Sequence, residues 1–213
     1  MFLKFPVVLL PNNMKDKIIH KSADMFLNLG FKSVTMDDIA SEMGISKKTI
    51  YQHFTNKTKL VEATTLQVFE FISHGIDCIC ELEKNPIEEI YEIKQFVMLH
   101  LKNEKSSPQY QLQKYYPKIC ATIKKKQFEK MHGCVSQNLD RGVSQGLYRK
   151  NINVEFTARL YINGMMSLKD QDIFPLENFS MHVLMDNYLE YHLRGICTIK
   201  GLEKLTQLLT TNH

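Results

Sequence analysis

Between Thr35 and Lys59 the chain reads TMDDIASEMGISKKTIYQHFTNKTK, two short apolar repeats at helical spacing separated by a single glycine, Gly44. Few backbones accommodate that pattern. Thr35 followed three residues later by Asp38 is a capping-box signature for a helix that carries Ile39, Ala40 and Met43 and stops at Gly44. Ser46 then caps a second helix that runs through Phe54. Gly44 supplies the positive φ that a tight helix-to-helix turn demands. Ala40 leaves room for a close crossing, and Ile39, Met43, Ile45 and Ile50 can lock the two helices together. The predicted unit is a helix-turn-helix lying between about Met36 and Phe54.

The flanking sequence extends this helical reading. Ile18, Ile19, Ala23, Met25, Phe26 and Leu29 recur at three- and four-residue steps from Lys15, and Gly30 stops that helix. Asn56 can cap a fourth helix carrying Leu60, Val61, Leu66 and Ile72. Pro86 opens another through Leu101. A short helix near Gln109–Tyr116 and a long one from Ile119 to Gly146 follow, then helices at about 153–169, 177–195 and 201–210. Only 9 glycines and 6 prolines punctuate 213 residues, and no useful β-alternation or internal repeat interrupts the pattern. The fold class expected is all-α, with an N-terminal three-helix domain at 14–60 and a larger helical domain at 61–213. Residues 1–13 are set apart as a disordered tail or an upstream mis-start.

Charge divides the chain unevenly. Up to residue 60 there are nine Lys/Arg against five Asp/Glu, so the whole formal net charge of +4 sits there and the remainder is balanced. A basic module joined to a neutral one points to a polyanionic partner for the first. The five cysteines, at 78, 80, 120, 134 and 197, contain no C-x-x-C, so reduced thiols without a zinc or disulfide framework are expected. The apolar run Phe5–Leu10 is too short and too broken by proline for a secretory signal, and no stretch approaches a membrane span. A cytoplasmic protein without membrane contact is expected. No nucleophile-motif spacing, glycine-rich phosphate loop or H-E-x-x-H is present, so neither an enzyme, a cofactor nor a metal is expected.

The run Gly44-Ile45-Ser46-Lys47-Lys48-Thr49-Ile50-Tyr51-Gln52-His53-Phe54, followed by Asn56-Lys57 and Leu60, resembles the DNA-binding domain of the tetracycline-repressor (TetR/AcrR) family. Phe26, Gly30-Phe31, Thr35 and Asp38-Ile39-Ala40 match the spacing that precedes it in that family. The resemblance covers roughly residues 15–65. It implies that Thr35 donates to a phosphate and that Ser46, Lys47, Lys48 and Thr49 face base edges and flanking phosphates of double-stranded DNA. Tyr51 falls on the family's aromatic phosphate-contact position, His53 lies near the same backbone, and Lys57 would pair with a phosphate. Four of these also have a plainer reading: solvated charge for Lys47 and Lys48, core for Tyr51, capping or packing for His53. Side-chain chemistry alone allows lysine on guanine or phosphate and threonine on a polar edge or a thymine methyl.

The resemblance also implies a homodimer through the last two long helices and a repressor released from a palindromic operator by a small-molecule effector. Phe179, Val183, Tyr188, Leu189 and Leu193 are more than one core-facing stripe needs, which favours an interfacial helix there. Met98, Leu101, Phe128, Met131, Tyr161 and Met165 are candidate lining for an apolar effector pocket, although Met and aromatic residues also fill ordinary cores. The competing reading is a ligand-independent DNA-binding regulator controlled by a protein partner.

Overall fold

The structure is a computed structural model that describes residues 13–101, 108–170, 172–175 and 177–211, without the side chains of residues 101, 108, 109 and 211. The expected tail therefore lies outside the described residues except for Asn13, and so does the side chain of Leu101. The described residues form α1 (Met14–Leu29), α2 (Met36–Met43), α3 (Lys47–His53), α4 (Lys57–Cys80) and α5 (Pro86–Leu101). They continue as α6 (Pro108–Tyr115), α7 (Pro117–Ser144), α8 (Val154–Ser167), α9 (Met181–Ile196) and α10 (Ile199–Thr211). The fold is all-α. Among the described residues the nearest thing to a sheet is one isolated antiparallel bridge between Tyr148 and Cys197.

Two of the helix boundaries that differ from the sequence reading have a visible local cause. Asn13 caps α1, its side chain accepting from the Asp16 amide at 3.0 Å. Helix α9 begins at Met181 rather than near 177, because the amides of Asn178 and Phe179 both turn back to the Pro175 carbonyl at 3.0 Å. That turn takes in Phe179, one of the apolar residues read into this helix from the sequence.

The chain divides into two compact units, one drawn from within Met1–Gly75 and His100–Gln127, the other from within Ile76–Leu99 and Phe128–His213. In the first, α1, α2 and α3 pack on one another around Ile18, Phe26, Ile39, Ile50 and Leu60, all essentially sealed from solvent. Leu112 of α6 and Cys120 of α7 complete this core. Phe31 stacks on Phe26 at 5.0 Å and meets the edge of Tyr116 at 6.2 Å. Gln111 lies so close to Gly30 that a Cβ there would come within 2.4 Å of its amide, and its oxygen accepts from the Lys32 amide at 3.0 Å.

The second unit has its own core of Ile87, Leu139, Tyr148, Ile162, Leu189 and Leu193. Tyr148 is fully buried and lies over Gly142, where a Cβ would meet the ring at 2.0 Å. One polar network inside this core is fully paired, whereas the buried Tyr91 hydroxyl has no hydrogen-bond partner among the described residues. Glu89, 1% exposed, accepts from Asn138 at 2.8 Å and from Arg141 at 2.5 Å. Asn138 also donates to the Pro86 carbonyl at 2.9 Å and accepts from the Tyr148 hydroxyl at 3.1 Å.

His192 is 8% exposed and sits against the rings of Tyr161 (4.9 Å) and Tyr188 (6.3 Å). Burial holds its pKa down at about 4. Since the unfolded chain takes up this proton near pH 6.5, the neutral imidazole's contribution is complete above that pH and withdrawn as the pH falls towards 4. The loss should approach about 3 kcal/mol at most. Melting temperatures of the protein and of His192→Phe, followed from pH 7.5 to 4, check this: the variant should lack the decline between pH 6.5 and 4.5. Parallel curves would remove His192 as the cause.

Candidate nucleic-acid interface

The helix-turn-helix is built from short-range hydrogen bonds. Thr35 caps α2 by accepting from the Asp38 amide at 3.1 Å, while the Asp38 carboxylate accepts from the Thr35 amide and hydroxyl, each at 2.8 Å. These bonds, the backbone one foremost, hold the Asp38 carboxyl below the usual carboxylate range. Gly44 adopts φ 64° and ψ 30°; its amide bonds the Ala40 and Ser41 carbonyls, and the Ile45 amide reaches Ala40 at 3.0 Å. This paired closure satisfies the last carbonyls of α2 and turns the chain into α3. Lys21 of α1 pairs with Glu42 of α2 at 2.7 Å on the outside.

Ser46 caps α3, its Oγ accepting from the Thr49 amide at 3.1 Å and lying 2.8 Å from the Thr49 hydroxyl. Ile50 and Phe54 turn into the core, leaving Lys47, Lys48, Tyr51, Gln52 and His53 exposed and Thr49 half-buried. Six of the eight sequence-predicted residues, from Ser46 to His53, thus belong to one cap and one helix. The plainer reading of Tyr51 as a core residue does not hold, since its ring is 43% exposed.

Lys47 is not idle. Its ammonium pairs with Asp37 of α2 at 2.7 Å and lies 5.9 Å from the centre of the Tyr51 ring. The hydrogen bond to Asp37 raises its pKa. Both partners are at least half exposed, and an ion pair of that kind is worth little in water, so Lys47 can exchange Asp37 for another anion at small cost. Asp37 is a residue that sequence reasoning did not single out; a ten-residue separation across a turn carries no periodic signal.

Lys57 is placed differently. Half-buried at the first turn of α4, its ammonium donates to the Phe31 carbonyl at 2.5 Å and lies 3.5 Å from that of Lys32. Burial lowers its pKa. In this position Lys57 ties the start of α4 to the turn that precedes α2. The first turn of α4 is closed instead by Asn56, whose side chain accepts from the Lys59 amide at 2.9 Å.

Five of the candidate pocket residues divide between two packed clusters. Tyr161 is buried in the second unit's main core, with Phe128 and Met131 packed against it. Met98 lies against a smaller cluster of Leu168, Met181, Leu184 and Met185, and Met165 touches both clusters. An open cleft of about 350 Å³ elsewhere in this unit is lined by residues of polar type such as Gln137, Asp140 and Arg141, and none of Met98, Phe128, Met131, Tyr161 and Met165 lines it. Among the described residues no cluster of three or more His, Cys, Asp or Glu could hold a metal ion. Among the described residues no helix is long and apolar enough to cross a membrane.

Comparison with known proteins bears directly on the helix-turn-helix. Residues 18–64 match the family described as "Bacterial regulatory proteins, tetR family". A 79-residue match at 30% identity relates the chain to the biofilm operon icaADBC HTH-type negative transcriptional regulator IcaR of Staphylococcus aureus (strain Newman), covering 37% of this chain and 42% of that protein. The HTH-type transcriptional repressor KstR2 of Mycolicibacterium smegmatis is 28% identical over 80 residues, 38% of this chain and 39% of the relative. The matches thus span less than half the length of these relatives. A transcriptional regulator from Cytophaga hutchinsonii shares the fold over 86% of this chain and 98% of its own, with a TM-score of 0.70 at 18% identity.

Proposed function

The chain belongs to the tetR family of bacterial regulatory proteins, a family of transcriptional regulators rather than enzymes, and from that premise we propose that it is a DNA-binding repressor that grips a palindromic operator as a homodimer. The observation that carries this reading is the exposed face of α3, where Lys47, Lys48, Thr49, Tyr51 and His53 follow a capped, buttressed N-terminus. A rigid helix with cationic and hydroxyl groups at its leading end is the chemistry that major-groove edges and flanking phosphates demand. Lys48 and Thr49 are assigned to base edges, Lys47 and Tyr51 to phosphates beside them, and Thr35 to a phosphate at the start of α2. Ser46 serves by holding the end of α3, and Lys57 by bracing the turn before α2 while its helix end attracts the backbone. His53 completes the exposed row.

Dimerisation is assigned to α8 and α9. Their outer sides leave Phe156 64%, Leu160 53%, Val183 53% and Tyr191 78% exposed, although the two helices already share a core. Large apolar side chains four apart on one helix and eight apart on its neighbour are the material of a self-associating face. Release by an apolar small molecule, bound among the Met and aromatic residues of the second unit, completes the cycle in the cytoplasm.

Selecting bound duplexes from random DNA with the full chain tests the reading. The expected outcome is an inverted repeat with half-sites about 34 Å apart or a multiple of that, and an affinity that falls steeply between 50 and 200 mM salt. No enriched sequence, or salt-insensitive binding, would reject it.

A further inference from the structure

Helix α4 ends on Cys80, and the middle of α7 presents Cys134, so that two thiols 54 residues apart in sequence meet with their sulfurs at 4.0 Å. Both side chains are half-exposed and both border the open cleft of the second unit, with Gln137, Asp140 and Arg141 on its wall. We propose that Cys80 and Cys134 are an oxidisable dithiol, a modification site through which a peroxide-class oxidant closes a disulfide between α4 and α7. This inference is independent of the DNA-binding reading.

The two sulfurs are not equivalent. The Cys80 thiol donates its hydrogen bond to the Cys134 sulfur, and that bond, with the Lys130 ammonium nearby, outweighs burial and the charges of Asp77 and Glu89 to bring Cys134 down to about 7. The same bond and burial push Cys80 strongly upward. Lys130 is itself held in place by Asp77. Cys134 is therefore the readier of the two to ionise and Cys80 the proton-bearing partner, the asymmetry that a nucleophilic and a resolving cysteine require. Cys120 and Cys197 are unsuited, because both are buried and pushed up, Cys197 to about 11.

The chemistry balances with hydrogen peroxide alone. The Cys134 thiolate attacks one peroxide oxygen, the O–O bond breaks, and the departing hydroxide takes a proton from solvent to leave as water. Cys134 is then a sulfenic acid. The Cys80 sulfur displaces its hydroxyl, which leaves with the Cys80 proton as a second water while the S–S bond forms. Two thiols lose two electrons in all and one peroxide gains them. From 4.0 Å, the sulfurs must approach by about 2 Å to bond, a displacement within reach of side-chain rotation and a small helix adjustment.

The test treats the reduced full chain with one equivalent of hydrogen peroxide, counts thiols after denaturation, and maps the unreduced digest by mass spectrometry. Free thiols should fall from five to three, and a peptide containing Cys80 should be joined to the one containing Cys134. Because Cys78 shares a peptide with Cys80, Cys78→Ser is run beside Cys80→Ser. The first should still cross-link; the second should stop at a Cys134 sulfenic acid that a 1,3-dione reagent captures. Five surviving thiols, or a link that uses Cys78, Cys120 or Cys197 instead, would overturn the assignment. The mapping on the unsubstituted protein stands even where a variant fails to fold.

Discussion

Replacing Lys47 and Lys48 together with alanine is expected to weaken binding to the selected operator by about a hundredfold. It should also flatten its salt dependence by roughly 0.9 for each phosphate left without its lysine. Both side chains stand on the first turn of α3, the end that a recognition helix points into the groove, and both ammonium-bearing chains are exposed. The fold should tolerate the change. Neither side chain joins the core around Ile50, and the Lys47–Asp37 pair is a solvent-exposed one of the kind that contributes little to stability. Circular dichroism melts of the variant and the parent should therefore superimpose while fluorescence anisotropy separates them. A matched melt with unchanged affinity would remove these lysines from the interface. Asp37→Asn adds a direction: with its competing carboxylate gone, Lys47 is available without exchange, and affinity should rise slightly rather than fall.

The second large effect is on stability. Glu89→Ala is expected to cost about 3–5 kcal/mol, lowering the melting temperature by roughly 10 °C for a chain of this size. Glu89 on α5 is the acceptor that both Asn138 and Arg141 of α7 share, and Asn138 in turn receives the buried Tyr148 hydroxyl. Removing the carboxylate strands a guanidinium only 29% exposed and opens the network beneath Tyr148. Leaving buried polar groups unpaired costs more than the pair contributes while intact. Glu89→Gln retains the shape and at least one hydrogen bond, so it should lose clearly less. Differential scanning calorimetry of the three proteins at pH 7 decides it. A loss below about 1 kcal/mol for the alanine variant would mean that the pair behaves like a solvated surface contact.

Much of the first unit was legible in the sequence because its determinants are local. A cap acts across three residues, from Thr35 to Asp38 and from Ser46 to Thr49, and the left-handed turn needs only one residue free of a Cβ at Gly44. The apolar spacing of Ile39, Ile50 and Phe54 placed them in the core and left the lysines outside. The second unit was less legible. Its Met and aromatic residues suit a pocket and a core equally, and the structure places Tyr161, Phe128 and Met131 in or against packed side chains. The outward apolar row on α8 and α9 was foreshadowed by Val183, yet Leu189 and Leu193 of the same pattern are fully buried.

By itself, then, the sequence determined an all-α chain, the limits and caps of its helix-turn-helix, and the cationic face of α3, since all of these arise from interactions within one or two helical turns. Only the tertiary structure decided which distant groups meet. It gave Lys47 the Asp37 carboxylate, turned Lys57 onto the Phe31 carbonyl, filled the first core with Leu112 and Cys120, and set Glu89 between Asn138 and Arg141. It also brought Cys80 to Cys134. The physical reason is range. Helical periodicity and capping repeat every few residues and leave a written pattern, whereas a contact across fifty residues depends on how whole helices pack and leaves none.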